Sequence, residues 1–288
     1  MSASRWAMGV GRWAVVGMLL VAPHLVGAQR PTRPRGGGFN QFFGGPDDMY
    51  QPPAFHGNVP YDGRFTFARI RYRGFEHWAG PEGPGWAHDY PDADENFVKI
   101  LRDVTAVHPF VESGPMVGSV LVSLDDPLLF KYPVSYMSEP GGWHPNDKEM
   151  AGFRSYILKG GFMIFDDFRE GWRGNYDWSN LQQLTAVAFP GLHWIQLKGD
   201  EPVFDSFFKV DMNKAVEWPS TSAYGTRPPT YWGLFDGNDP HKRLMLMANV
   251  DNDIGESWQW SGQGFVPIAQ ANEIYKLGIN YVIYALTH

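Results

Sequence analysis

Two short runs of almost uniformly apolar residues constrain the fold more than any other feature of this sequence. The first is Phe162–Phe165, and the second is Leu244–Val250. A strand with one solvent-facing side alternates apolar and polar residues, whereas an apolar strand needs cover on both faces. These runs therefore predict a mainly parallel sheet with helices packed on both of its faces.

Strand patterns and amphipathic helical patterns alternate along the chain. The strands are predicted over 65–72, 117–124 and 133–137, and the helices over 92–104, 146–159, 181–188 and 267–287. Acidic residues open the first helix, Gly160 and Gly161 end the second, and the last one directs Ile268, Ala271, Tyr275, Ile279 and Val282 inward. Such alternation predicts an α/β, doubly wound fold with a flavodoxin-like sheet.

The N-terminus has the three parts of a secretory signal peptide. Arg5 and Arg12 precede an apolar run from Trp13 to Val26, and the small residues Gly27 and Ala28 follow. The run contains Pro23 and is shorter than the ~20 apolar residues of a spanning helix. We therefore expect cleavage before Gln29, export to the periplasm or beyond the cell, and no transmembrane helix in the mature chain.

Residues 29–60 are rich in proline and glycine and lack a periodic apolar face. This composition is typical of an extended tether. The predicted organisation is thus a signal peptide over 1–28, a tether over 29–60 and a single α/β domain over 61–288.

Composition excludes several classes of function. The chain has no cysteine, which rules out disulfides, thiolate metal sites and a cysteine nucleophile. Its net charge of −7 argues against a nucleic-acid partner. No Gly-x-Ser-x-Gly elbow, phosphate loop or dinucleotide fingerprint is present, so we expect no cofactor. The histidines lack zinc spacing, and we interpret each as a surface or loop residue.

Carboxylates and aromatic residues follow the predicted strands, at the edge where doubly wound sheets bind ligands. Carboxylates gathered there share a proton, bind a hard cation or accept hydrogen bonds from sugar hydroxyls. The alternative is that each aspartate caps a helix or makes a turn. The candidate ligand-binding residues are Trp86, Asp89, Tyr90, Glu139, Asp166, Asp167, Phe168, Asp251 and Asp253.

Two further expectations concern the side chains of this edge. Adjacent residues at a strand end point in opposite directions, so only one of Asp166 and Asp167 should face the cleft. The loop tryptophans either form stacking platforms for sugars or peptides, or pack over the core. These tryptophans are Trp86, Trp143, Trp172, Trp178 and Trp258.

Five segments resemble those of the domain-of-unknown-function family numbered 4159 (DUF4159): Trp86–Phe97, Ser138–Trp143, Leu158–Phe168, Asp251–Trp258 and Asn272–Tyr281. The resemblance covers nearly all of 61–288. It implies a bacterial envelope protein whose fold is similar to class I glutamine amidotransferases. It implies no established activity, and the amidotransferase cysteine is missing here.

These observations lead to two main hypotheses, beside a third in which the protein is a peripheral subunit of a membrane complex, held by its aromatic tether. The first is an exported, non-catalytic domain that binds a ligand or a partner, either a carbohydrate or an envelope protein complex. The second is a carboxylate- or metal-dependent hydrolase that acts on an envelope carbohydrate. The sequence leaves open whether a divalent cation binds. Geometry distinguishes the two: catalysis is favoured if Asp166 or Asp167 lies within hydrogen-bonding reach of Asp253 or Glu139 in an open cleft. The binding domain is favoured if these aspartates cap helices and face apart.

Overall fold

The structure is a computed structural model, and it describes residues 58–74, 83–110, 118–169, 176–212, 228–264 and 266–288. Every described residue belongs to one compact unit of the chain. The predicted signal peptide and residues 29–57 of the predicted tether lie outside the described residues. Within the described ranges, no helix is long and apolar enough to cross a membrane.

Seven strands form one mixed sheet in the order β2-β1-β3-β4-β7-β6-β5. The strands are β1 (Phe67–Ile70), β2 (Ser119–Val122), β3 (Val134–Ser138), β4 (Phe162–Phe168), β5 (Ile195–Gln196), β6 (Thr230–Phe235) and β7 (Leu244–Val250). The five strands from β2 to β7 pair in parallel, while β6 and β5 add an antiparallel pair. The α/β prediction with a mainly parallel sheet is confirmed, but β5 and β6 were not predicted.

The two apolar runs occupy the centre of the sheet. Every residue of β4 and β7 is buried, and the two strands pair directly, with Ile164 opposite Met247. Their position explains the lack of alternation, because helices cover both faces.

Among the described residues, five helices flank the sheet: α1 (Asp92–Val104), α2 (Asp147–Leu158), α3 (Tyr176–Ala188), α4 (Ile254–Gln259) and α5 (Ile268–Thr287). The apolar residues of α2 and α3 pack into one core cluster, and those of α1, α4 and α5 pack into a second. Each cluster also contains residues from one face of the sheet, so helices cover both faces, as predicted.

Helix ends follow the local signals in the sequence. Asn146 accepts hydrogen bonds from the backbone N–H groups of Lys148 and Glu149, and the Glu149 carboxylate accepts one from the Asn146 N–H. This capping box satisfies donors that have no partner inside the helix. Beyond the other end of α2, Gly160 adopts a φ of 110°, a left-handed conformation that glycine tolerates.

Two expectations about individual positions are corrected. Ile268 does not point inward but is 79% exposed, because α5 begins there, before its buried stripe at Ala271 and Tyr275. Residues 58–60 do not all belong to a tether, since Val59 is buried. The Asn58 side chain donates to the Leu121 carbonyl at 2.8 Å and accepts from the Leu121 N–H at 2.8 Å, so it pairs with the edge strand β2.

Candidate functional site

The strand order brings four polar side chains to one edge of the sheet. The chain runs from β1 to its neighbour β2 and then crosses back to β3 on the other side of β1, and ligands bind at such switch points in doubly wound sheets. His88 and Asp89 follow β1, Asp167 lies near the end of β4, and Asp253 follows β7. Because these strands are parallel, their carboxyl ends meet at the same edge.

His88, Asp89, Asp167 and Asp253 form a compact group that we call the edge cluster. One nitrogen or oxygen atom from each residue lies within 4.8 Å of the corresponding atoms of the others. His88 Nδ1 is 2.6 Å from Asp167 Oδ2 and 3.4 Å from Asp89 Oδ2. The Asp253 carboxyl group lies beside them, with one of its oxygens within 4.8 Å of the cluster atoms of the other three residues. The arrangement can move a proton, polarise a water molecule or hold a cation.

Asp89 is the least satisfied member of the edge cluster. Its side chain is 1% exposed, and neither oxygen accepts a hydrogen bond within the described residues. The residue adopts a φ of 63°, and its carbonyl accepts the Ala93 N–H at the start of α1. Buried carboxylates without donors are rare in folded proteins, because each loses its hydration without compensation.

Arg69 fixes the loop that carries His88 and Asp89. Its guanidinium is fully buried, pairs with Asp94 at 2.6 Å and donates to the carbonyl oxygens of Trp86 at 3.2 Å and His88 at 2.9 Å. A planar fork with several donors suits this task, since one side chain holds two backbone groups and a carboxylate.

Asp166 fixes the opposite wall of the site. Its Oδ2 accepts hydrogen bonds from Tyr136 Oη at 2.6 Å, the Ile254 N–H at 2.9 Å and the Gly255 N–H at 3.2 Å. Its Oδ1 accepts from Asn249 Nδ2 at 2.9 Å. Asp166 therefore anchors the first turn of α4, directly after Asp253. The Asp253 Oδ1 in turn accepts the Glu256 N–H at 2.8 Å.

Burial and mutual repulsion set the protonation of the edge cluster. Burial raises the pKa of Asp89 to about 8, although the His88 charge opposes the shift. Burial and the neighbouring Asp167 and Asp89 raise the pKa of Asp253 well above its usual range. Burial also acts on Asp167, but the charge and hydrogen bond of His88 outweigh it and lower that pKa. Asp167 is thus the carboxylate that carries the negative charge.

The structure brings three of the nine candidate residues into the edge cluster, namely Asp89, Asp167 and Asp253. Asp166 faces away from it, and its pKa is raised to about 6 by burial. Tyr90 packs against Arg69, with its ring centroid 5.7 Å from the guanidinium carbon. Elsewhere along this edge, Trp86 and Phe168 are buried, and Asp251 is partly exposed at a φ of 57°.

Glu139 lies in a tight turn at the end of β3, beside the edge cluster but not in it. Its φ of 45° and ψ of 50° are left-handed, and Pro140–Gly142 follow as a short 3-10 helix. The Tyr72 hydroxyl donates to its carbonyl oxygen at 2.6 Å. A Cβ on Gly85 would lie 2.5 Å from Glu139 Oε2, so only glycine fits opposite this side chain.

The tryptophans pack in the core. Trp143 and Trp258 are fully buried, and Trp86 and Trp178 are 2% and 6% exposed. None of these four offers an open ring face, so the stacking-platform alternative is wrong for them. Trp172 lies outside the described residues.

Two residues of the site were not among the sequence candidates. His88 has the pattern of a loop histidine, yet its side chain is 23% exposed and hydrogen-bonded to Asp167. The feature of the sequence that could have identified His88 as a site residue is its position directly before the candidate Asp89. Arg69 fits an alternating strand by sequence, although a charge in a strand with helices on both faces must be paired.

The chain matches the family model described as Domain of unknown function (DUF4159) over residues 66–286. No curated protein matches it. The matched range contains all five strands of the parallel core and the whole edge cluster. The chain therefore belongs to the DUF4159 family.

Proposed function

We propose that this protein is an exported hydrolase that activates water at the edge cluster and acts on a carbohydrate of the bacterial envelope. One observation carries the proposal: the Asp167 carboxylate lies 2.6 Å from His88 Nδ1, and Asp253 completes the same group within 4.8 Å. A carboxylate oriented by two such neighbours can accept a proton from water, and His88 or Asp253 can return a proton to the leaving group. The two products then gain one hydroxyl group and one proton.

The spacing of the carboxylates favours direct attack by water. Glycosidases that use two carboxylates hold them about 5–5.5 Å apart or farther, on either side of the scissile bond. The ligand atoms of the edge cluster lie within 4.8 Å of one another, which is too close for a sugar ring to pass between them. The carboxylates therefore act as one centre on a single water molecule.

The envelope location and the carbohydrate substrate rest on two features of the sequence. Residues 1–28 have the pattern of a signal peptide. The site contains three carboxyl groups, whose oxygens can accept hydrogen bonds. Carboxylates accept hydrogen bonds from sugar hydroxyls, which makes a carbohydrate a chemically matched ligand.

We further propose that the fold is related to that of class I glutamine amidotransferases, without their chemistry. The parallel strand order and the left-handed turn after β3 support this relationship. Such a strand-to-helix turn positions a nucleophile in other hydrolases. Glu139 occupies it here, and the chain has no cysteine.

The test uses purified cell-wall sacculi as the probe. We expect the wild-type protein to release soluble fragments or substituents from the sacculi, and Asp167→Asn to release none. Asp251→Asn is the matched control, because Asp251 is the same residue type near the site, outside the edge cluster. Equal release by the wild type and Asp167→Asn, or no release by either, would overturn the hydrolase proposal.

The second candidate is the non-catalytic binding domain. The depth of the site favours it, since Asp89, Asp167 and Asp253 are each no more than 6% exposed. A buried, rigid group suits a permanently held ligand better than turnover. In the same experiment this candidate predicts that the protein co-sediments with the sacculi and releases nothing.

A further inference from the structure

The edge cluster has the composition and spacing of a metal centre. It offers one imidazole nitrogen and three carboxylate oxygens within 4.8 Å of one another. Ligand atoms that surround one transition-metal ion at 2.0–2.2 Å lie at most about 4.4 Å apart. To share one ion, opposite ligands would close by a few tenths of an ångström and neighbouring ligands by more, while His88 Nδ1 and Asp167 Oδ2, now 2.6 Å apart, would separate slightly.

A second observation points to a ligand at this position. Both oxygens of Asp89 lack a hydrogen-bond donor within the described residues, although the side chain is 1% exposed. The space beside this carboxylate is kept free by Gly255, where an added Cβ would lie 2.8 Å from Asp89 Oδ2. A bound cation gives such a carboxylate the partner that the protein does not supply.

We propose that the edge cluster binds one divalent first-row transition-metal ion, such as Mn²⁺, Fe²⁺ or Zn²⁺. Its ligands are His88 Nδ1 and one carboxylate oxygen from each of Asp89, Asp167 and Asp253. The proposal deepens the proposed function, on which it rests for the role of the ion, by naming the cofactor of the same site. With the ion bound, His88 Nδ1 and the Asp167 oxygen are ligands and no longer a hydrogen-bonded pair, and the ion rather than Asp167 would promote the loss of a proton from water.

The donor set selects this class of ion. Mg²⁺ and Ca²⁺ prefer ligand sets made entirely of oxygen, and Cu⁺ prefers sulfur. An imidazole together with carboxylates suits the intermediate ions. Three ionised carboxylates also outweigh the two positive charges of the ion, so the ion makes it favourable for Asp89 and Asp253 to lose their protons on binding.

The surroundings hold the ligands in place before an ion arrives. Arg69 binds the His88 carbonyl at 2.9 Å, and the Glu256 N–H binds Asp253 Oδ1 at 2.8 Å. Such contacts around the ligands orient them and raise metal affinity. The His88 side chain is the most exposed of the four, at 23%, and marks the entry side. An ion with five or six ligands keeps a position there for water, whose pKa it lowers.

The test is titration of the chelator-treated, full-length protein with Zn²⁺ and Mn²⁺ by calorimetry, with stoichiometry from elemental analysis. We expect one equivalent per chain, and much weaker binding of Mg²⁺ and Ca²⁺. The variants Asp89→Asn, Asp253→Asn and His88→Gln should each weaken binding at least tenfold. Asp251→Asn and His144→Gln are matched controls outside the edge cluster and should bind as the wild type does.

A spectroscopic readout on the wild type keeps the test independent of how the variants fold. Co²⁺ bound by this nitrogen and oxygen set should give visible bands more intense than those of the hydrated ion, and His88→Gln should shift them. Absence of saturable binding, a spectrum of hydrated Co²⁺, or undiminished binding in Asp89→Asn would overturn the proposal.

The outcome is separable from that of the proposed function. If the wild type still releases material from sacculi in the presence of chelator and Asp167→Asn does not, the hydrolase proposal is supported and the metal-site proposal is rejected. If the protein binds one ion but releases nothing from sacculi, the metal-site proposal is supported and the hydrolase proposal is rejected.

Discussion

At the scale of single residues, the burial of Asp89 opposes the ionisation of its carboxyl group. Its pKa is raised to about 8, chiefly by burial, whereas an unfolded chain ionises it near 3.8. Between those values the folded state holds more protons than the unfolded state, so the free energy of unfolding falls as the pH rises. The contribution is full below about pH 4 and lost by about pH 8.

Asp89→Asn should therefore stabilise the metal-free protein. Asparagine is neutral without taking up a proton, so we expect the free energy of unfolding at pH 7.5 to rise by about 1–3 kcal/mol. The decline between pH 5 and 7.5 should also become shallower. Urea unfolding in chelator at both pH values measures this, and a variant less stable than the wild type at pH 7.5 would contradict it.

Arg69 and Asp94 form a buried ion pair, and removal of one charge should destabilise the protein more than removal of both. Arg69→Met leaves Asp94 charged and unpaired and frees two loop carbonyls, so we expect a loss of about 3–5 kcal/mol in the free energy of unfolding. The double variant Arg69→Met/Asp94→Leu removes both charges and should recover part of it. Denaturant unfolding of both variants measures the effect; no recovery in the double variant would show that the carbonyl contacts dominate.

At the scale of elements, helix α2 lies directly against the loop after β2. A Cβ on Gly152 would overlap the carbonyl oxygen of Leu124. Alanine is better than glycine in a helix by about 1 kcal/mol, but overpacking costs about 1–3 kcal/mol. A backbone oxygen cannot rotate away as a side chain does.

We therefore expect Gly152→Ala to lower the free energy of unfolding by about 1–2 kcal/mol, despite its helix propensity. Lys148→Ala is the control, because Lys148 is an exposed residue of the same helix. Its effect should stay within about 0.5 kcal/mol. Thermal and urea unfolding compare the two, and a Gly152→Ala variant as stable as the wild type would mean that the helix shifts freely.

At the scale of the whole molecule, the sequence predicts that the exported chain begins at Gln29. The basic residues Arg5 and Arg12, the apolar run and the small residues before Gln29 provide the reason. Mass spectrometry of protein recovered from the producing cell's envelope or medium measures the start. Material that retains Met1 would contradict cleavage.

The domain should keep its stability without most of the predicted tether. Deletion of residues 29–57 should leave the melting temperature nearly unchanged, because their proline- and glycine-rich composition lacks an apolar face.

Asn58→Ala should instead lower the free energy of unfolding by about 1–3 kcal/mol, since it breaks two hydrogen bonds to the backbone of β2. Unfolding of the two variants measures both effects, and a large loss on deletion would show that the segment packs on the domain.

Local sequence patterns were sufficient to predict the parallel core and most of the described helices. Periodicity and capping are local signals, so Phe162–Phe165, Leu244–Val250 and the Asn146 cap could be interpreted without a partner element. The strands β5 and β6 lacked such a signal, since Ile195–Gln196 is too short and Thr230–Phe235 follows a proline-rich segment.

The tertiary structure alone decided which candidates form a site. Sequence reasoning placed Asp166 and Asp167 side by side, but only the fold directs one to α4 and the other to His88. His88 and Asp253 are 165 residues apart in the chain, and the strand order brings them together. Burial and the neighbouring charges then give the carboxyl groups of the edge cluster different pKa values. Both effects arise from long-range packing, which no local pattern encodes.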